Sequence, residues 1–226
     1  MHSVVLLRND LMQRRFCGVR KNIGINICIL EIFYIFAELI YNVYNMKKIL
    51  YVHGLCSGIN SSTLNDIKTF FDNYEIHGIE VNENPYESVK KIQQYVDVNN
   101  IDILISCSLG GFYSAYINVP YKFLINPGFH IIRILKERIK FGTYDYFCER
   151  LDGKKQYVID QNTIDLFRNF IVDFCNDIKN TNSYTIFSSN DDFIGSDIQL
   201  KNVEFANTFK FNLIISYEFG HRINTY

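Results

Sequence analysis

From residue 47 onward, short apolar runs alternate with longer segments of helical spacing. "KILYVHG" (48–54), "EIHGIEVN" (75–82), "IDILISCS" (101–108), "YKFLINPG" (121–128), "SYTIFSSN" (183–190) and "KFNLIISYEFGH" (210–221) are rich in β-formers and predict strands, the last with a trailing loop. Between them, residues 63–74, 85–98, 110–119, 160–180 and 196–209 predict helices. The helix over 160–180 has the clearest pattern. Phe167, Phe170, Ile171, Phe174 and Ile178 make one apolar stripe, with Asp160 placed to cap it. Pro85 followed by acids is a helix start. Strict β/α alternation predicts an α/β fold: a mostly parallel central sheet with helices on both faces. Ligands of such sheets sit beyond the carboxyl ends of the strands, so the chemistry should be sought there.

The first 46 residues break this pattern. Residues 1–22 are polar with scattered arginines, and 23–45 are mostly apolar. Glu31, Glu38, Asn42 and Asn45 share one helical face, which fits an amphipathic helix better than a membrane span. Met46 is followed at once by "KKILYVHG". We expect an N-terminal extension over 1–46, either an amphipathic appendage or an over-extended gene start, and a self-contained domain over 47–226. Stable membrane insertion is not expected.

With 226 residues, about half of them apolar, the chain can build a sizeable core. A net charge of −1 without long single-sign runs argues against a nucleic-acid partner. The six cysteines form no CxxC pair and no zinc spacing with histidine, so they read as reduced thiols of a cytoplasmic protein, with no metal site. No Walker loop or GxGxxG occurs, and no cofactor is expected.

Four strand ends carry unusual residues: "HGLCSG" (53–58), "SCSLGG" (106–111), "SSNDDFIG" (188–195) and "FGHRI" (219–223). In chain order they offer a backbone-donor loop, a serine, an acid and a histidine, which is the order of an α/β-hydrolase triad. In a nucleophile elbow the central residue is strained, and the positions two before and two after must be small. Ser108 is flanked in that way by Ser106 and Gly110. The alternative is a plain helix-capping serine after a buried strand. Cys107 should point away from Ser108 because side chains alternate along a strand. Gly54 and Leu55 read as an oxyanion loop, and His53 as part of its turn rather than as the base. Asp191 rather than Asp192 is the candidate acid, because Ile194, three residues on, can re-enter the core.

The whole stretch 47–226 resembles the small bacterial esterases of the YqiA-like group of α/β-hydrolases. The fragments that carry the likeness are "ILYVHGLCS", "SCSLGGFYSAY", "FLINPGFHI", "DGKKQYVID", "SSNDDFIG" and "GHRI". The resemblance implies a compact, largely lidless hydrolase acting on a small acyl ester or thioester. It implies Ser108 as nucleophile, Asp191 as acid and His221 as base, with the amides of Leu55 and Leu109 as oxyanion donors. The sequence departs from the pattern at Ser106, where glycine is usual. The segment 129–160 is the expected substrate wall, with Phe129 and Ile132 as candidate contacts and a basic rim of Lys136, Arg138 and Lys140. A plain helix packed on the sheet is the alternative there. Rival functions are a binding protein on the same fold that has lost turnover, and an acyltransferase or peptidase on the same triad.

Overall fold

A computed structural model describes residues 48–180, 182–188 and 191–216. The extension 1–46 and His221 lie outside these described residues. Six strands form one parallel sheet: β1 (Lys48–Val52), β2 (Glu75–Ile79), β3 (Ile103–Cys107), β4 (Tyr121–Ile125), β7 (Ser183–Ser188) and β8 (Asn212–Ser216). Their order is β2-β1-β3-β4-β7-β8. Each falls within a predicted strand, a few residues shorter at the carboxyl end, where the chain turns into the loops.

The alternation of the strands splits the core in two. Leu50, Val52, Leu104, Leu124 and Phe187 face one side, and Ile49, Tyr51, Ile105, Phe123 and Ile186 the other; all are buried. Helix α1 (Ser62–Phe70) covers the second side through Leu64 and Ile67. The first side takes α2 (Pro85–Asn99) through Ile92 and Val96, and α3 (Leu109–Ser114) through Phe112 and Tyr113. Residues of α5 (Gln161–Asp173) and α6 (Ser196–Thr208) join the same cluster through Phe167, Phe170 and Ala206. The capping chemistry is local. The Asn84 side chain accepts from the Tyr86 and Glu87 amides ahead of Pro85, and Asp160 accepts from Thr163 N–H at 2.8 Å.

One element departs from strict alternation. Between β4 and α5 the chain makes a short helix α4 (Ile131–Ile134), which widens into a π-type turn (Leu135–Ile139). It then forms an antiparallel hairpin of β5 (Gly142–Asp145) and β6 (Gln156–Ile159), outside the main sheet. No helix among the described residues is long and apolar enough to cross a membrane.

Candidate active site

The strand order reverses at β1 and β3, because the chain leaves β1 for β2 on one side and returns to β3 on the other. The crevice at that point is where a doubly wound sheet binds ligands. Ser108 sits there, directly after β3 and before α3, with φ 52° and ψ −117°. A non-glycine residue in such a region costs on the order of 1–3 kcal/mol and persists only where its neighbours hold it. Here both its backbone groups are tied. Ser108 N–H donates to Ile125 O at 3.0 Å, and Ser108 O accepts from Gly128 N–H at 3.0 Å and Phe112 N–H at 3.2 Å.

The small residues around it are required by contact. A Cβ on Gly110 would run into the carbonyl oxygens of Val52 and His53, and one on Gly111 would lie 2.7 Å from Pro127 Cβ. A Cβ on Gly54 would lie 3.2 Å from Ser108 Cβ, so the loop after β1 runs against the serine. Ser106 is fully buried and its hydroxyl has no hydrogen-bond partner. The hydroxyl that replaces the usual glycine is therefore accommodated but not satisfied.

Ser108 opens into a cavity of about 750 Å³. Leu55 and Leu109 both line it, on the loop after β1 and at the first residue of α3. The first amides of a helix have no partner within it, which suits Leu109 N–H to receive an oxyanion. One wall is apolar, from Ile131, Ile134, Ile139, Tyr144 and Phe193; Asn60, Ser61, Ser62 and Thr63 give a hydroxyl-rich wall. Among the described residues Arg138 is the one charged side chain lining this cavity, and its Nη2 lies 3.2 Å from Asp197 Oδ1. Phe129 and Ile132 lie elsewhere, lining a second hollow with Ile171 and Phe205. Phe129 is buried there and stacks on Phe205. The insertion does supply a wall, through the opposite face of α4.

Asp191 is buried and Asp192 exposed. The Asp191 carboxylate accepts from Ile194 N–H at 2.9 Å, and Ile194 is fully buried against Ile134 and Ile198. The described histidines are engaged away from the serine. His53 Nδ1 donates to Gly54 O at 2.7 Å, His77 bridges Tyr95 and Glu75, and His130 Nε2 donates to Lys201 O at 3.1 Å. None of the three lines the cavity at Ser108.

Three thiols line the cavity, Cys56, Cys107 and Cys148, so Cys107, expected to point away from Ser108, shares its cavity; Cys148, on the insertion, carried no signal in the sequence. Cys56 has φ 66° and contacts the Tyr157 hydroxyl. Burial pushes the Cys148 thiol up, and the Glu80 charge adds to the effect. Burial also pushes the Tyr157 phenol well above its ordinary range. Both groups thus stay neutral in the cavity beside Ser108 at ordinary pH.

Residues 48–224 match the family described as Uncharacterised protein family (UPF0227). The chain belongs to that family. It is the YqiA-like family that the sequence fragments resemble. No curated protein matches the chain in sequence. Among solved structures, this UPF0227 member is similar to Paleococcus ferrophilus monoacylglycerol lipase, with a TM-score of 0.54, 11% identity, and coverage of 79% of this chain and 88% of that one. It is also similar to alpha/beta hydrolase domain-containing protein 10 from mouse, with a TM-score of 0.52, 14% identity, and coverage of 79% and 83%. At such identities the likeness is one of fold, and the fold is that of the α/β-hydrolases.

Proposed function

We propose that this UPF0227 chain is a serine hydrolase that cleaves small acyl esters or thioesters through Ser108, Asp191 and His221. The observation that carries the reading is the backbone of Ser108. Its φ of 52° and ψ of −117° hold a hydroxyl at the end of β3, beside the start of α3 and on a cavity wall. Strain of that kind is kept where it serves a reaction. The acid is supported by the burial of Asp191 on the loop after β7. The base is supported by chain direction. Strand β8 pairs in parallel with β7 up to Ser188 and Ser216, so the two strands end on the same side of the sheet, and His221 follows Ser216 by five residues as Asp191 follows Ser188 by three.

In the reaction, His221 takes the Ser108 proton as Oγ attacks the acyl carbonyl, and Asp191 fixes the imidazole tautomer. The amides of Leu55 and Leu109 receive the oxyanion. His221 then protonates the leaving alcohol or thiol, and water clears the acyl-enzyme by the reverse path. A fluorophosphonate probe tests the reading. It should label the wild-type protein on Ser108 and leave Ser108→Ala unlabelled but folded. Undiminished labelling of that variant, or labelling moved to Cys107, would overturn the assignment.

A further inference from the structure

The loop after β1 carries the Leu55 amide, yet it has no regular structure of its own to aim that amide. Its polar groups are held mostly from two distant segments. Phe147 N–H donates to Cys56 O at 2.7 Å, and Arg150 Nη1 donates to Ser57 O at 2.9 Å. Ile59 N–H donates to Glu80 Oε1 at 3.2 Å, and the same carboxylate oxygen accepts from Leu151 N–H at 3.3 Å. With Gly54 O bound by His53, the loop is fastened at four points between Gly54 and Ile59.

An ion pair lies at the centre of these contacts. Arg150 Nη1 is 3.0 Å from Glu80 Oε2, and the two side chains are 1% and 6% exposed. His53 Nε2 lies 3.2 Å from the same oxygen. Arg150 Nη2 donates to Val81 O at 3.0 Å and to Asp152 Oδ2 at 2.7 Å, and the guanidinium lies over the Tyr146 ring. Burial alone would raise the Glu80 carboxyl. His53 beside it, the Ile59 amide and the Arg150 charge outweigh it and keep the group below its ordinary value, hence ionised. A buried pair of this kind adds little net stability, because desolvation of two charges offsets their attraction. What it supplies is a fixed distance.

We infer that the buried Glu80–Arg150 pair is a positioning device for the oxyanion loop, holding the Leu55 amide toward the oxygen of the tetrahedral intermediate. The inference rests on the serine-hydrolase reading and deepens it. Neither residue lines the cavity, so both act through the loop rather than on substrate. The pair also joins two walls of one site. Cys56 and Ser57 on the loop, and Phe147 and Cys148 on the insertion, all line the cavity, and Arg150 ties the second pair to the first.

The test uses the full chain with Arg150→Met and with Glu80→Gln/Arg150→Met. The double variant leaves no buried charge unpaired, so it retains the fold where the single variant fails. Two readouts are needed: hydrolysis of p-nitrophenyl acetate, and hydrogen exchange of the 54–59 amides. The pair predicts a fall in kcat of about 10²–10³-fold, the loss typical of one oxyanion donor. KM should stay within about threefold, because the interaction is made only in the transition state. Exchange should quicken at 54–59 while the amides of α5 keep their protection. A general loss of packing would instead quicken exchange in both and would overturn the positioning role. Unchanged exchange at 54–59, or an unchanged kcat, would overturn it as well. A wild-type protein inert toward both the ester and a fluorophosphonate would overturn the hydrolase reading, and loop exchange would still decide whether the pair holds the loop.

Discussion

Lys122 sits in the middle of the sheet, at the second residue of β4, with its side chain fully buried. Its Nζ donates to the carbonyls of Ile117 at 3.1 Å, Ala115 at 3.5 Å and Lys179. These acceptors keep the amine from being orphaned, but they do not replace bulk water around a full charge. Burial pushes the Lys122 ammonium down from 10.5 to about 7, and the Lys179 charge adds to the effect. The unfolded chain keeps the ordinary value. Between those two values the unfolded state holds a proton that the folded state has released, so stability rises with pH. The penalty is absent above 10.5, grows as pH falls, and is constant below about 7. The gap from 10.5 to about 7, at about 1.4 kcal/mol per pH unit, amounts to roughly 5 kcal/mol. Lys122→Met keeps an unbranched apolar chain and removes the titration. Urea unfolding of both proteins at pH 7, 8 and 9 reads the effect as a difference. Thiols and phenols titrate in both proteins and cancel. Wild-type stability should gain about 1 kcal/mol per pH unit over that of the variant. Parallel pH profiles would refute the reasoning, since they would mean that the three carbonyls hold the proton on Lys122 in the folded state.

Three further outcomes are expected. Asp191→Asn should lose most ester hydrolysis, by about the 10⁴-fold seen for the matching change in a serine protease, while Asp192→Asn keeps most of it; the reverse ranking would exchange the two acids. Gly110→Ala should destabilise by about 1–3 kcal/mol, because the added methyl meets two backbone carbonyls, and a thermal melt matching wild type would show that the elbow is looser than described. A chain starting at Met46 should be soluble and as active as the full chain, because the family match begins at residue 48; its insolubility beside a membrane-bound full chain would favour an anchor.

The main sheet was legible in the sequence because a parallel strand is buried on both faces. "ILIS" in β3 and "KFLI" in β4 stand out as short apolar blocks between polar helices, and both become strands. The elbow was legible for a related reason. A serine between small residues at the end of such a block leaves few other geometries, and Ser108 adopts the strained one. The burial of Ile194 three residues past Asp191 follows the same logic of re-entry into the core.

The insertion was not legible, and its residues show why. In β6 the exposures alternate: Tyr157 and Ile159 are buried, while Gln156 and Val158 face outward. In β5, Tyr144 alternates with exposed Thr143 and Asp145. Two four-residue strands carry too short a pattern to separate from helix or loop, and exposed Val158 blurs the alternation further. On α4, successive residues serve different sites. Ile134 lines the cavity at Ser108, Ile132 lines the hollow beside Phe205, and Ile131 lines both. Apolar composition marks all of them alike, and only the rotation of one short helix decides which face the cavity at Ser108. Glu80 was hidden for the opposite reason. A single acid in "GIEVN" looks like the solvent face of an edge strand, and its burial is compensated by Arg150, some 70 residues away. A charge whose partner is that distant carries no local signal. Yet the pairing is what fastens the loop of Leu55, so the part of the site least visible in sequence is the part that would aim the oxyanion donor.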